Sequence, residues 1–242
     1  MKILSIDTSF DDTSFAILDW KTPTRFQLIF NLVSSQAKLH SSFGGVWPSL
    51  AKMEHRKNLP IIFSTIEKRG LTNKLDLISV TVGPGLEPCL WEGINFAKKK
   101  SKQLSLKIVP VNHLEAHIFS VFFDKSFRKH FNKENLFPAV SLIVSGGHTV
   151  LVLVEKIGAY KVLGETRDDA AGECLDKVAR FLGFSYPGGP IIEKLAKKGK
   201  KKYNLSLPRP MINQKNYQFS FSGLKTAVIY LVNKFDEKIK KS

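Results

Sequence analysis

His113 and His117 are four residues apart, so on a helix their rings share one face. That spacing suits two imidazole ligands of one metal ion; an incidental helical pair is the alternative. The order is His-Leu-Glu-Ala-His. A zinc protease of the His-Glu-x-x-His type needs the acid directly after the first histidine, so that chemistry is discounted. Glu115 reads instead as the third helical residue answering an Asn112 N-cap, which assigns the acid to the start of the helix.

Other residues offer different chemistry. Ser145-Gly146-Gly147 can expose consecutive backbone N–H groups, because glycine tolerates the dihedrals required, and such a nest binds phosphate. An ordinary tight turn is the competing reading. The segment Asp7-Thr8-Ser9-Phe10-Asp11-Asp12-Thr13 carries acids that could bind a cation, orient water or accept a proton, or close the turn by hydrogen bonding. Asp168 and Asp169 sit where a helix starts, as the helix dipole favours. Asp176 lies further along its polar face, to contact a ribose or simply to be solvated. Cys89 and Cys174 make neither a zinc spacing nor a disulfide framework, and read as reduced buried thiols.

The elements that must position these groups follow from periodicity. Residues 3–7 and 14–19 read as a hairpin with a polar tip, and 26–33 as a third strand. Apolar residues recur at helical spacing over 49–68, with Pro60 placed to kink or break the stretch. A strand over 77–82 runs through Gly83-Pro84-Gly85 into a helix over 90–104. A strand over 108–111 leads to the histidine helix, so the pair stands where α/β folds place ligands. The second half opens the same way: strands over 139–144, 149–155 and 160–164, then an amphipathic helix over 173–182. Tyr186-Pro187-Gly188-Gly189-Pro190 reads as a turn, and a last helix covers 224–234. Two hairpins, each followed by a third strand and a helix, suggest an internal duplication. The first copy spans 1–122. The second, 123–242, stops after its helices.

The 242 residues can bury a real core, and the 43% hydrophobic and 24% charged content is that of a globular protein. No apolar run reaches transmembrane length and no signal peptide is visible, so the expectation is a cytoplasmic protein without a membrane partner. The net charge of +16 favours a polyanionic partner, nucleic acid first. Lys98, Lys99, Lys100 and Lys102 form one cluster; Lys194, Lys197, Lys198, Lys200, Lys201 and Lys202 form another. Taken singly, each is equally a solvated face.

Eight motifs then occur in one order: Asp7-Thr8-Ser9 with Asp11-Asp12-Thr13; His40-Ser41-Ser42-Phe43-Gly44-Gly45-Val46 with Pro48; Gly83-Pro84-Gly85-Leu86; Asn112-His113 with His117; Val144-Ser145-Gly146-Gly147-His148-Thr149; Gly164 to Glu173; Tyr186 to Pro190; and Phe219-Ser220-Phe221-Ser222-Gly223-Leu224-Lys225. Across nearly the whole chain this resembles the tRNA N6-adenosine threonylcarbamoyltransferase family, TsaD. The resemblance implies an α/β protein of actin/hexokinase-like duplicated lobes, the second truncated. It implies transfer of a threonylcarbamoyl group from threonylcarbamoyl-adenylate to the N6 amine of the adenosine 3′ of the tRNA anticodon. The family's iron ligands fall on His113 and His117, as Fe(2+), one per subunit. Its adenylate loop falls on Ile143, Val144, Ser145, Gly146 and Gly147, with further nucleotide contacts at Asp176 and Gly189. Asp12 is the candidate proton acceptor. tRNA, threonylcarbamoyl-adenylate and protein partners of a threonylcarbamoylation complex are the implied partners.

The chain departs from the pattern in places. The family has Cys-Asp-Glu-Thr where this sequence has Phe10-Asp11-Asp12-Thr13, which shortens one acid by a methylene. The family's later Asp-Asn-Gly segment, whose aspartate is the third metal ligand, has no counterpart before Ser242. That leaves a non-catalytic scaffold for a catalytic partner or tRNA as the competing function. A kinase-like reading is set aside, since such enzymes surround magnesium with carboxylates rather than imidazoles.

Overall fold

A computed structural model describes residues 1–22, 25–124, 127, 136–199 and 205–240. The chain forms two compact units, Met1–Glu134 and Asn135–Ser242.

The first unit is built on a five-stranded sheet. Its strands are β1 (Lys2–Asp7), β2 (Asp12–Thr22), β3 (Arg25–Ser35), β4 (Leu77–Gly83) and β5 (Lys107–Asn112), in the order β3-β2-β1-β4-β5. The first three run as an antiparallel meander, while β4 and β5 lie parallel to β1. Thr13, Phe15 and Ile17 alternate inward on β2, as the period-two pattern requires. A short helix, α1 (Ala37–Ser41), precedes α2 (Pro48–Lys68); α3 (Glu87–Leu104) joins β4 to β5, and α4 (His113–Ser120) follows β5. The core gathers Leu4, Ile6, Phe15, Ile17, Ile78 and Val80 from the sheet with Leu59, Ile62, Phe63 and Ile66 from α2.

Sequence periodicity left a kink or break at Pro60 open, yet α2 is one helix across it. A proline inside a helix costs about 3 kcal/mol. Four large side chains buried along the same helix return roughly 1.5–3 kcal/mol each, so packing outweighs the lost hydrogen bond.

The second unit holds an antiparallel sheet of β6 (Ala139–Val144), β7 (Thr149–Lys156) and β8 (Ala159–Glu165), with helices α5 (Ala171–Phe181), α6 (Gly188–Lys198) and α7 (Ser222–Lys240). Ile143, Val150, Val152 and Val154 are buried, together with Cys174, Val178 and Ala179 of α5. Val140, Leu142 and Val144 point to the opposite face and stay exposed. The segment read as a turn at Tyr186–Pro190 is in fact the start of α6, which begins at Gly188. A helix's first turn has no internal use for its N–H groups, so Pro190 loses nothing there. Asp176 Oδ1 accepts the N–H groups of Gly188 (2.7 Å) and Gly189 (3.3 Å).

The lysine clusters are less uniform than the sequence suggests. Lys100 Nζ lies 4.0 Å from the Phe63 ring centroid and 3.7 Å from Glu67, so it packs in the seam between α2 and α3. Lys98 reaches over Trp91 instead. Lys194, Lys197 and Lys198 are exposed on α6, while Lys200, Lys201 and Lys202 lie outside the described residues. Among the described residues, no helix is long and apolar enough to cross a membrane.

Candidate functional site

The three parallel strands of the first unit deliver polar residues at their carboxyl ends. Asp7 closes β1, Thr81 stands near the end of β4, and Asn112 closes β5 and caps α4. Asn112 Oδ1 accepts the N–H groups of Leu114 (2.9 Å) and Glu115 (3.1 Å). This cap is worth about 1 kcal/mol and fixes where the helix starts, hence where His113 stands.

The structure brings His113 and His117 together. Their Nε2 atoms are 3.1 Å apart, with the rings edge to face. His113 Nδ1 lies 2.9 Å from Asp7 Oδ2 and 3.2 Å from Ser9 Oγ. Thr81 Oγ1 donates to the same Asp7 oxygen at 2.6 Å, and the Ser9 N–H donates to Oδ1 at 2.8 Å. Burial opposes ionisation of Asp7, but the hydrogen bonds from His113, Thr81 and Ser9 outweigh it and hold the carboxyl well below the usual carboxylate range. Sequence reasoning gave Asp7 no role of its own. The available signal was its position, an acid ending an otherwise apolar strand.

The donor set fits a metal ion. With their Nε2 atoms 3.1 Å apart, His113 and His117 would be the residues to hold one ion. Imidazole suits zinc, copper, iron and nickel over magnesium or calcium. Among the described residues there is no group of three or more histidine, cysteine, aspartate or glutamate side chains placed to hold one ion.

The turn between β1 and β2 is held from behind. Thr8 Oγ1 donates to the Cys89 carbonyl at 2.9 Å. A Cβ at Gly93 would sit 2.3 Å from Thr8 Oγ1, and one at Gly85 would sit 2.5 Å from the Ser9 carbonyl oxygen. Gly85 and Gly93 therefore let the start of α3 and its body approach this turn. His55, fully buried on α2, places Nδ1 2.8 Å from Thr13 Oγ1 and Nε2 2.8 Å from the Phe10 carbonyl. The carbonyl only accepts, so Nε2 carries the proton and Nδ1 accepts the Thr13 hydroxyl. Burial lowers the pKa of His55, against the raising effect of that carbonyl. His40 is also buried, its Nε2 3.0 Å from Gln36 Oε1 while Nδ1 accepts the Trp47 N–H. The sequence showed both histidines but gave neither a role. Asp12 stands exposed at the first position of β2, opposite Ser35.

In the second unit, Ile143 and Val144 end β6, and Ser145 closes the turn to β7. Its N–H donates to the His148 carbonyl (2.8 Å), and its Oγ accepts the His148 N–H (3.0 Å). Gly146 and Gly147 are exposed, and neither has a positive φ. The left-handed dihedrals expected of a nest are therefore not what these glycines supply. The close approach at this turn belongs to Gly172, where a Cβ would lie 2.5 Å from the Ser145 carbonyl oxygen. Asp176 and Gly189 meet directly through the cap of α6.

Asp168 does not serve its own helix. Its carboxylate accepts from Ser220 Oγ (2.5 Å), Ser222 Oγ (2.6 Å), and the N–H groups of Phe221 (2.7 Å) and Ser222 (3.2 Å). It thus caps α7 from a distant part of the sequence. Desolvation would raise its pKa, but the serine hydroxyls and backbone N–H groups hold it well below the ordinary value. Asp169 pairs with Lys177 and Lys225, each at 2.6 Å. Both cysteines are free and buried, and burial pushes the Cys89 thiol up to about 11.

Residues 27–242 match the family described as TsaD, tRNA N6-adenosine threonylcarbamoyltransferase. The protein of that name from Thermosipho africanus is 48% identical over 240 residues, 98% of this chain and 68% of its own length. That of Persephonella marina is 44% identical over 239 residues, covering 97% and 65%. The Bacillus subtilis protein is 42% identical over 240 residues, covering 98% and 65%. The chain thus spans about two thirds of the length of these relatives. Among solved structures, a Pseudomonas aeruginosa protein with similarity to peptidase YeaZ aligns with a TM-score of 0.42 at 12% identity, covering 96% of this chain and 92% of that one. The Aquifex aeolicus PPX-GPPA enzyme aligns with a TM-score of 0.39 at 14% identity, covering 83% and 64%.

Proposed function

The chain belongs to the TsaD family of tRNA N6-adenosine threonylcarbamoyltransferases, and we propose that it takes part in that family's reaction in the cytoplasm. The reaction is transfer of the threonylcarbamoyl group from threonylcarbamoyl-adenylate to the N6 amine of the adenosine 3′ of the tRNA anticodon. The observation that carries this reading is the histidine pair, with two Nε2 atoms 3.1 Å apart at the carboxyl ends of parallel strands. The strand order β3-β2-β1-β4-β5, and a second unit that again opens on a three-stranded meander, support reading the units as actin/hexokinase-like lobes.

His113 and His117 would hold the metal, which we assign as Fe(2+) from their imidazole chemistry and the family resemblance. When bound, the ion supplies a Lewis acid that polarises the carbamoyl carbonyl. The loop Ile143-Val144-Ser145-Gly146-Gly147 binds the adenylate phosphate. Gly146 and Gly147 are exposed at its tip, which supports contact of a ligand with this loop. Asp176 of α5 and Gly189 at the start of α6 contact the nucleotide. The adenosine amine attacks the carbonyl carbon, a C–N bond forms, the C–O bond to phosphate breaks and AMP leaves. The amine proton passes to Asp12, exposed and able to accept it. The net charge of +16 supports tRNA as the polyanion bound. Protein partners of the threonylcarbamoylation complex complete the proposed assembly.

A second reading, a scaffold for a catalytic partner or tRNA, is favoured by one observation: the histidine pair has no third metal ligand among the described residues. One experiment separates the two, a threonylcarbamoyl transfer assay with metal content measured on the same sample. The enzyme reading expects activity that tracks bound metal and is lost with the metal in His113→Ala. Metal-free activity overturns the mechanism, and tRNA binding without turnover by metal-loaded protein selects the scaffold. Asp12→Asn should slow transfer at least tenfold with substrate binding intact; an unchanged rate removes Asp12 from the mechanism.

A further inference from the structure

The buried histidines His40 and His55 are fully satisfied by their neighbours. Asp168 and Asp169 are spent on α7 and two lysines. The exposed apolar face of β6 has nothing in the structure to say what covers it. Asp7 is different, because its carboxylate touches a proposed metal ligand on the side away from the second histidine.

We propose that Asp7 is a positioning residue that fixes His113 as the Nδ1–H tautomer, directing the Nε2 lone pair to the site shared with His117. This rests on the metal reading above. The geometry makes the assignment. A neutral imidazole carries one proton, on one of two nitrogens, and the partner of one nitrogen decides the state of the other. His113 Nδ1 lies 2.9 Å from Asp7 Oδ2, and a carboxylate only accepts, so the proton is on Nδ1. Nε2 is then unprotonated, as a metal ligand must be.

Asp7 can impose this because it cannot turn. Oδ2 also receives the Thr81 hydroxyl from β4, and Oδ1 receives the Ser9 N–H. Two strand ends and the following turn thus hold one carboxylate. Hydrogen bonding of this kind orients metal-bound imidazoles and raises their basicity.

With Nε2 of His113 an acceptor, the 3.1 Å contact to His117 Nε2 is made by a proton on His117. The two histidines then hold opposite tautomers.

Nitrogen-15 NMR of the imidazole side chains in the metal-free full chain tests this without a variant or an activity. The expected result is Nδ1–H at His113 and Nε2–H at His117. An Nε2–H tautomer at His113 overturns the proposal. The second arm titrates cobalt(II) or iron(II) anaerobically into wild type and Asp7→Asn, with circular dichroism confirming the fold. Loss of an outer partner of this kind weakens metal binding about 10–100-fold, and the His113 tautomer should shift toward Nε2–H. Binding by Asp7→Asn within twofold of wild type, with the tautomer unmoved, overturns it. Wild type that binds no metal defeats the metal reading, while the tautomer result still decides the role of Asp7.

Discussion

Gly93 offers a test in which two physical effects have opposite signs. It lies inside α3, where replacing glycine by alanine ordinarily stabilises a helix by about 1 kcal/mol. Here the new methyl would meet Thr8 Oγ1 at 2.3 Å. Thr8 is 1% exposed and its hydroxyl is committed to the Cys89 carbonyl. A threonine cannot swing aside, because its two γ atoms fill two of the three staggered positions. Thr8 Cγ2 is itself only 3.4 Å from the added Cβ. Overpacking of this kind costs about 1–3 kcal/mol, and displacing the buried hydroxyl from its acceptor adds about 1 kcal/mol. After subtracting the helical gain, Gly93→Ala should destabilise the first unit by about 1–3 kcal/mol.

The assay is urea unfolding followed by tryptophan fluorescence. Trp20, Trp47 and Trp91 are the only tryptophans in the chain, and all lie in the first unit, so the signal reports that unit alone. The expected result is a lower midpoint at unchanged slope. Thr8→Ser removes one γ atom and lets the hydroxyl rotate, so the double variant should recover part of the loss, a coupling of opposite sign to the single effects. Gly189 provides the contrast: a Cβ there meets only Leu175 Cδ1, at 3.9 Å, and Gly189→Ala should leave stability unchanged or slightly raised. A Gly93→Ala protein as stable as wild type or more so would refute the close approach of α3 to the Thr8 turn.

Asp168→Asn should cost about 1–2 kcal/mol at neutral pH, the worth of a helix cap. Because the folded pKa is depressed, the carboxylate's contribution is full above the unfolded value of about 3.9 and is lost as pH falls through the folded one. Acid titration by circular dichroism should therefore show a shallower decline in the variant, and parallel curves would refute the cap. His55→Gln should cost more at pH 7.5 than at pH 5.5: with a folded pKa below that of the unfolded chain, the wild type loses stability as pH falls below about 6.5 and the glutamine does not. Urea midpoints at the two pH values check this, and an equal cost at both would overturn it. Threonine at Val140 and Leu142, both more than half exposed, should lower the fluorescence of a hydrophobic dye bound to the native protein; unchanged fluorescence would mean that the face is not open to solvent.

Elements with one strong period were legible from the sequence. The alternation of β2, the apolar runs of β4 and β6, and the Asn112 cap all rest on neighbours within one or two turns, which a local pattern records. The start of α6 was not legible. Tyr186-Pro187-Gly188-Gly189-Pro190 has turn composition, and what makes Gly188 and Gly189 helical is Asp176, whose carboxylate replaces the missing hydrogen-bond acceptors from a helix away. Pro60 misleads for the same reason: local propensity argues for a break, while burial along α2 decides otherwise. The lysine run at 98–102 shows the limit of charge reading, since Lys100 belongs to the packing between two helices.

The chemistry-bearing motifs pose a harder problem, because the same residue types serve ligands and scaffold. Asp168 and Asp169 look like a charged helix start, yet one caps α7 and the other holds Lys177 and Lys225. Asp168-Asp169 and Ser220-Phe221-Ser222-Gly223-Leu224-Lys225 are thus two halves of one contact, separated by some fifty residues of sequence. The same holds for Asp7 and His113, for Thr8 and Gly93, and for His55 and Thr13. A motif in this chain is therefore read as a pair, and each acid is assigned by what its oxygens already accept. By that measure Asp168 and Asp169 are committed to the fold, and Asp7 is committed to His113. Among the acids first singled out, Asp12 is left exposed at the β1–β2 turn. That exposure supports the proposal that Asp12 accepts the proton, as the contact with His113 supports the proposal that Asp7 orients the histidine.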